Sequence, residues 1–239
     1  MKFNLNDVEF NRFDLKRQVQ IPTTSSKDLA EEVGIHIGDG SLYFKNDRSE
    51  FRVFGNPRNE VPYFKNFLQP LYRRLFNIDT WIRIQNNALC IPIYSRAIVT
   101  FKKNVLGLPA SEKVRKIKIP NFIQKDDELF KSCLRGIFDT DGCLLFDKSQ
   151  KRAAIDIYLS SIFIIKTIRK RTSQLGFHPH KSGSKYRIRF QRRQDFYLWF
   201  KLIGSNNPKT LVKYNKIINR PLSASLDRPE ACGRLTKSF

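Results

Sequence analysis

The segment GIHIGDGSLYF at residues 34–44 returns as GIFDTDGCLLF at 136–146, which places Asp39 and Asp141 102 residues apart. Self-similarity at a fixed period is one supersecondary unit used twice. In the first copy Ser26 caps a predicted helix at 27–37, and strands at 41–45 and 51–55 flank the turn KNDRS. Pro62 opens a helix at 62–76 with apolar residues at helical spacing. Strands at 80–85 and 88–93 then meet at Asn86-Asn87, which can supply the positive φ of a tight hairpin, and a helix at 95–105 closes the unit. The second copy repeats the order: a helix at 127–139 running into Gly142, strands at 143–147 and 153–159, a helix at 161–175, strands at 178–182 and 185–191, and a helix at 193–203. A last helix falls within 205–219. The fold class is α+β, with two pseudo-symmetric α-β-β-α-β-β-α halves. The expected organisation is a lead-in at 1–26, a first repeat at 27–105, a basic connector with two prolines at 106–126, a second repeat at 127–219 and a loose tail at 220–239.

Two like halves imply a pseudo-two-fold axis, which suits a pseudo-palindromic partner such as duplex DNA. Charge points the same way. Forty-four Lys+Arg face 22 Asp+Glu, a net charge of +22, while 20 Phe and 41% hydrophobic residues supply a real core. A folded body so cationic belongs among polyanions, nucleic acid first and an anionic membrane surface second. No basic amphipathic helix supports the membrane, and no run of about 18 apolar residues could span one. The N-terminus lacks the apolar stretch of a signal peptide, so a cytoplasmic or organellar protein with access to DNA is expected, and not a secreted one. Cys90, Cys133, Cys143 and Cys232 form no C-x-x-C pair and read as reduced thiols.

Strand alternation gives each sheet one apolar and one polar face. In WIRIQ, Ile82 and Ile84 oppose Trp81, Arg83 and Gln85; in YRIRFQ, Arg187, Arg189 and Gln191 oppose Tyr186, Ile188 and Phe190. Arg52 shares a face with Glu50, and Tyr158 shares one with Asp156. Such a face suits a β-ribbon reader of the major groove, where Arg holds guanine and Gln holds adenine. Lys45, Arg48, Lys148, Lys151, Arg152, Lys181 and Lys185, in turns and strand ends, suit phosphates.

An Asp before Gly is ordinarily a helix C-cap. Two of them at equivalent places in a repeat, after helices with small residues that permit close packing, point to something further. Asp39 and Asp141, each preceded by a small or short residue (Gly38 and Thr140), would meet at the axis. Paired carboxylates repel unless a cation lies between them. Mg²⁺ fits, since it takes one or two carboxylates, substrate phosphate and water, and Mn²⁺ or Ca²⁺ could substitute in binding. Such a site can activate water for in-line attack on a phosphodiester.

LRGIFDTDG at 134–142, and EVGIHIGDG at 32–40 after Leu29-Ala30-Glu31, resemble the two motifs of the LAGLIDADG homing endonucleases. The second copy matches at Leu134, Gly136, Ile137, Asp139, Asp141 and Gly142. The first keeps Gly34, Ile35, Asp39 and Gly40 but has Ile37 where the family often has an acid. The resemblance extends over roughly 27–219, including IGSNNPKTLVKY. It implies a saddle whose antiparallel sheets bind DNA, and a monomer making a staggered double-strand cut across the minor groove of a long, partly symmetric site. It also implies an active-site lysine after the last helix of each half, at Lys113 and Lys209, with Lys116 and Lys213 as alternative registers. Asn56 and Ser160 would hold the water network, while Asp139 would cap or pack the helix interface. The chain begins with Met and ends in LTKSF, without the termini of a protein-splicing domain, so a free-standing intron-encoded enzyme is expected. The competing expectation is a non-cleaving relative: an intron maturase gripping RNA, or a DNA-binding regulator.

Overall fold

The computed structural model describes residues 1–46, 48–110, 117–149, 152–180 and 184–219. The first half opens with helix α1 (Arg12–Lys16), then α2 (Lys27–Asp39), strands β1 (Gly40–Lys45) and β2 (Arg48–Gly55), and helix α3. Helix α3 spans 61–76 without a break, with a π turn at Phe64–Leu68. Strands β3 (Arg83–Gln85) and β4 (Ala88–Ile93) follow, then α4 at 96–105, whose second half is also π. After the short α5 (Asn121–Gln124) the second half runs through α6 (Asp127–Asp141), β5 (Gly142–Asp147), β6 (Arg152–Tyr158), α7 (Ile162–Gln174), β7 (Arg187–Phe190), α8 (Arg193–Leu202) and α9 (Pro208–Ile218).

Local chemistry sets the boundaries. The Ser26 hydroxyl accepts the Leu29 N–H at 3.2 Å to start α2, and the Asp126 carboxylate accepts the Glu128 and Leu129 N–H groups at 2.9 and 3.0 Å to start α6. Asn86 and Asn87 adopt φ of 50° and 60°, the two left-handed residues of a tight β3–β4 hairpin. The first sheet has order β1-β2-β4-β3 and the second β5-β6-β7, all antiparallel.

Of the strand expected at 178–182, residues 181–182 lie outside the described residues, and 178–180 form only an isolated bridge, His180 with Arg189. Pro179 has no N–H to offer a ladder. The His178 N–H and ring Nδ1 both turn instead to Asp195 in the first turn of α8, each at 3.1 Å. The lead-in is folded too. Phe3 and Val19 are buried, and Asp14 is fully buried, accepting the Ala97 N–H at 3.0 Å. The tail at 220–239, with Cys232, lies outside the described residues.

Helices α2 and α6 form the seam between the halves. Gly34 lies against the Cys133 carbonyl and Gly136 against the Glu31 carbonyl, so the two backbones touch with no side chain between them. Each sheet covers its own side of the seam. Trp199 packs with Phe138, Phe177 and Phe190 on one side; Phe51 packs with His36 and Tyr72 on the other.

One charge pair is wholly inside this core. Lys102 and Glu32 are both fully buried, with Nζ 2.5 and 2.6 Å from the two carboxylate oxygens, and Nζ lies 4.1 Å from the Phe51 ring centroid. Burial lowers the Lys102 pKa despite Glu32. Removing one partner strands the other charge, so Glu32→Gln is expected to cost about 3–5 kcal/mol in urea unfolding, with Glu32→Leu/Lys102→Met close to the parent. Equal costs for the single and double variants would contradict this account.

Candidate nucleic-acid interface and metal centre

Asp39 and Asp141 are the last residues of the two seam helices, and both are half-buried. Gly38 brings them together. A Cβ built on it would stand 2.0 Å from the Thr140 hydroxyl and 3.1 Å from an Asp141 carboxylate oxygen, so only glycine permits this approach. The Thr140 hydroxyl is already committed to its own helix, donating to the Gly136 and Ile137 carbonyls at 3.0 Å each. That donation uses the hydroxyl hydrogen and leaves the oxygen lone pairs, so Gly38 could offer a cation backbone oxygen and Thr140 either its backbone or its hydroxyl oxygen.

The donor set is oxygen alone: two carboxylates at adjoining helix ends, plus carbonyls. Among the described residues no cluster of three or more His, Cys, Asp or Glu side chains could hold a metal. This fits Mg²⁺, which keeps several waters and uses few protein ligands, and does not fit a closed structural metal cage. When bound, the cation would polarise a water and neutralise charge on a phosphate.

Asp139, two residues before Asp141, is buried inside a hydrogen-bonded ring. Its Oδ1 meets the Ser205 hydroxyl, its Oδ2 accepts the Asn206 N–H at 2.7 Å, and its carbonyl accepts the Asn207 side-chain amide at 3.0 Å. Asn206 also donates to Glu31 at 2.6 Å, and Glu31 crosses the seam to a two-pronged contact with Arg135. The ring ties the SNNP loop to both seam helices, and Asn207 then caps α9. Ile37, at the equivalent place in the first half, is a plain core residue.

Burial pushes the Asp139 pKa up to about 7, against the Ser205 and Asn206 hydrogen bonds. Below that pH a proton can sit on Oδ1, facing the Ser205 oxygen. The sign follows by linkage: the folded state holds a proton that the unfolded state, with a pKa near 3.8, has lost. Stability is therefore full below the unfolded value and drains away as pH rises toward 7. In metal-free buffer the parent's Tm is expected to fall across this window more steeply than that of Asp139→Asn; parallel curves would contradict the assignment.

Lys209, at the start of α9, reaches back across the seam. Its Nζ lies 2.6 Å from Glu60 Oε1, while Glu60 Oε2 accepts the Asn56 N–H at 2.6 Å. Lys209 and Lys213 also lie close enough to act electrostatically on Cys143, which stands two residues past Asp141. Lys113 and Lys116 lie outside the described residues. Asn56 and Ser160 are exposed at the ends of β2 and β6.

The polar strand faces carry the expected arginines, but not as free cations. Glu50, fully buried, holds Arg52 at 2.5 and 2.6 Å and Arg48 at 3.2 Å. Burial alone would raise the Glu50 carboxyl; Arg52, the Tyr94 hydroxyl and Arg48 outweigh it and keep it below its ordinary value. Asp156 likewise holds Arg187, with Nε 2.7 Å away, and Arg189 at 3.3 Å. Arg83 donates to Gln85 at 2.8 Å, on the same face as Cys90 and Phe54. Ile84, placed with Ile82 on the apolar face, is 69% exposed. It does point toward the core side, paired with Leu89, but β3 is a three-residue edge strand that overhangs the packed interior.

Trp81 precedes β3, half exposed, and stacks on Tyr94 with ring centroids 6.2 Å apart. Tyr158, Gln191 and Arg152 are exposed at strand ends. Lys45 and Lys148 stand exposed at the two hairpin turns, and Lys185 lies over Tyr186. Lys151 and Lys181 lie outside the described residues.

Sequence reasoning missed Glu60 and Glu31. Both were readable only as surface acids, since their partners lie 149 and 104 residues away.

No family model matches the chain. Two curated proteins do, in part. A glutamine–fructose-6-phosphate aminotransferase of Methanocaldococcus jannaschii is 26% identical over 214 residues, 84% of this chain and 18% of that protein. A subunit of the A-type ATP synthase of Pyrococcus abyssi is 28% identical over 133 residues, 53% of this chain and 12% of that protein. The chain thus spans under a fifth of the length of either relative.

Solved structures match more broadly. The homing endonuclease I-WcaI bound to its DNA recognition sequence aligns with TM-score 0.61 at 13% identity, covering 84% of this chain and 90% of that one. I-DmoI in complex with DNA and Ca aligns with TM-score 0.54 at 16% identity, covering 79% and 97%. The N-terminal LAGLIDADG domain of WhiA aligns with TM-score 0.52 at 16% identity, covering 88% and 99%. The fold is that of the LAGLIDADG homing endonucleases, two halves with antiparallel sheets about a paired-helix seam.

Proposed function

We propose that the chain is a metal-dependent, site-specific double-strand DNA endonuclease that hydrolyses one phosphodiester on each strand of a long pseudo-palindromic site. The observation that carries the reading is the approach of Gly38 to Asp141, which sets two Asp-terminated helices side by side at the seam between two arginine-bearing sheet faces. In a protein of net charge +22, two helix-end carboxylates brought to the seam between arginine-bearing faces suit a cation and an anionic substrate.

Each residue then has a task. Asp39 and Asp141 hold Mg²⁺, with Mn²⁺ or Ca²⁺ able to replace it in binding. Lys209 offsets charge on the reacting phosphate, steadied by Glu60. The Arg48–Glu50–Arg52 and Arg187–Asp156–Arg189 groups present preorganised forks to base edges, so part of the readout is fixed before DNA arrives. One chain supplies both halves, so the enzyme acts as a monomer.

The relatives in Methanocaldococcus jannaschii and Pyrococcus abyssi have unrelated names, and the part of each that matches this chain is only 18% and 12% of its own length. A segment that recurs within such different, longer proteins supports a self-contained unit of inserted origin. The likeness to the WhiA domain keeps a second reading in view, a DNA-binding regulator that does not cut.

The test is selection of cleaved sites from a randomised duplex library with Mg²⁺. Recovery of one long, partly symmetric site supports the nuclease. Duplex binding with no cleavage under Mg²⁺ or Mn²⁺ sinks it and favours the regulator; preference for structured RNA favours a maturase.

A further inference from the structure

The chain before the first repeat is not a passive lead-in. Residues 1–24 are pinned to the first half from end to end. The Lys2–Thr24 bridge closes the segment, and Phe3 packs edge-on against Phe101 and Phe122. Buried Asp14 accepts the Ala97 N–H, and Arg17 donates to the Tyr94 carbonyl at 2.5 Å. What this rigid segment displays is unlike a protein's ordinary outer surface. Phe13 is 56% exposed with the Arg12 guanidinium 4.7 Å from its ring centroid, Leu15 is 65% exposed, and Lys16 is exposed beside them.

Its position gives this surface meaning. A trough of about 360 Å³ runs between α1 and the outer end of the first sheet, lined by Phe13, Lys16, Arg17, Arg48 and Tyr94. Arg48 also lines a second trough of about 260 Å³, with Ser41, Tyr43, Glu50 and Arg52 on the polar strand face. The strand face therefore continues through Arg48 onto α1. Five cations (Arg12, Lys16, Arg17, Lys45 and Arg48) lie along α1 and the adjoining hairpin, and among the described residues Asp14 and Glu50, the acids that Arg17 and Arg48 hold, are buried.

We propose that α1 extends the DNA-binding surface, with Arg12 and Lys16 gripping phosphates of the duplex that flanks the first half-site and Phe13 lying against the adjoining deoxyribose. The occupant is duplex DNA because the patch is cationic and continuous with the strand face. The proposal rests on the DNA-binding reading above. Contacts of this kind carry no sequence information, but they lengthen the footprint and steepen its salt dependence.

The test uses the full chain with Arg12→Ala/Phe13→Ala/Lys16→Ala. None of these side chains is buried, so folding is expected to match the parent by circular dichroism and Tm. On a selected site within a duplex of about 40 base pairs, the triple variant should bind roughly tenfold more weakly, and the log Kd against log salt slope should shrink by about 0.9 per phosphate lost. Its hydroxyl-radical footprint should shorten on the first-half side only. Trimming the duplex there should weaken the parent to the same degree and leave the variant unaffected. An unchanged footprint and salt slope in the variant overturns the extension alone. A parent that leaves no footprint on any duplex overturns the DNA-binding reading with it.

Discussion

Gly136→Ala is expected to destabilise the fold strongly, although alanine is the better helix former. In a free helix the exchange would gain about 1 kcal/mol. Here the new Cβ would lie 2.2 Å from the Glu31 carbonyl oxygen and 2.9 Å from the Ile35 nitrogen, both backbone atoms of the opposing helix. Backbone cannot rotate aside as a side chain can, so α2 and α6 must part. Parting them loosens Ile35, Leu134 and Ile137, all fully buried, along the whole seam. Overpacking in a well-packed core typically costs 1–3 kcal/mol; a backbone collision at the central seam should reach about 3 kcal/mol or more, against total stabilities of roughly 5–15 kcal/mol. Gly34→Ala should behave alike, its Cβ meeting the Cys133 carbonyl oxygen at 2.0 Å. Urea midpoints decide the matter, and a midpoint at or above the parent's in either variant defeats the close-packing account. The same variants should weaken any function of the helix ends, because Asp39 and Asp141 move with their helices.

That seam was the most legible part of the chain. The repeat itself placed Gly34 with Gly136 and Asp39 with Asp141, since close helix approach needs small residues and leaves a visible pattern. Asn86-Asn87 announced its hairpin for the same reason: few residues tolerate left-handed backbone in sequence. What stayed hidden depends on partners distant in the chain. Lys102, in FKKNV, was not singled out; only its phase, four residues after Ile98 on the apolar side of α4, hints at burial. Glu60 and Lys209 meet only after the two halves dock. The strand arginines were assigned to the correct face, yet their pairing was overlooked, although Glu50 alternates with Arg48 and Arg52 and must share that face. At 178–180 the expected strand yielded to a competing partner, since the Asp195 carboxylate attracts the His178 N–H away from any ladder.

Asp141→Asn should abolish cutting while sparing both the fold and the grip on DNA. The exchange is isosteric, Asp141 is only half-buried, and the helix end it occupies is held by the Gly142 N–H on the Phe138 carbonyl. Little folding energy is therefore at stake. On the proposed reading the carboxylate's charge is the part with work to do: with Asp39 it would hold the cation that offsets the charge of a scissile phosphate. Losing one of the two acidic ligands from a cation that takes so few protein ligands should slow single-turnover cleavage of a selected site by about 10³-fold or more, some 4 kcal/mol in the barrier. Duplex affinity in the absence of metal should hold or tighten, because one negative charge has left the surface facing the phosphates. That opposite movement of binding and cleavage separates loss of a metal ligand from loss of structure. Asp139→Asn supplies the contrast. It perturbs the Ser205–Asn206 ring rather than the helix-end pair, so it should retain cleavage at 25 °C and show its effect in the pH dependence of Tm. If Asp141→Asn cuts at the parent's rate while Asp139→Asn does not, the carboxylates have been assigned the wrong way round, and the buried ring is the reactive centre.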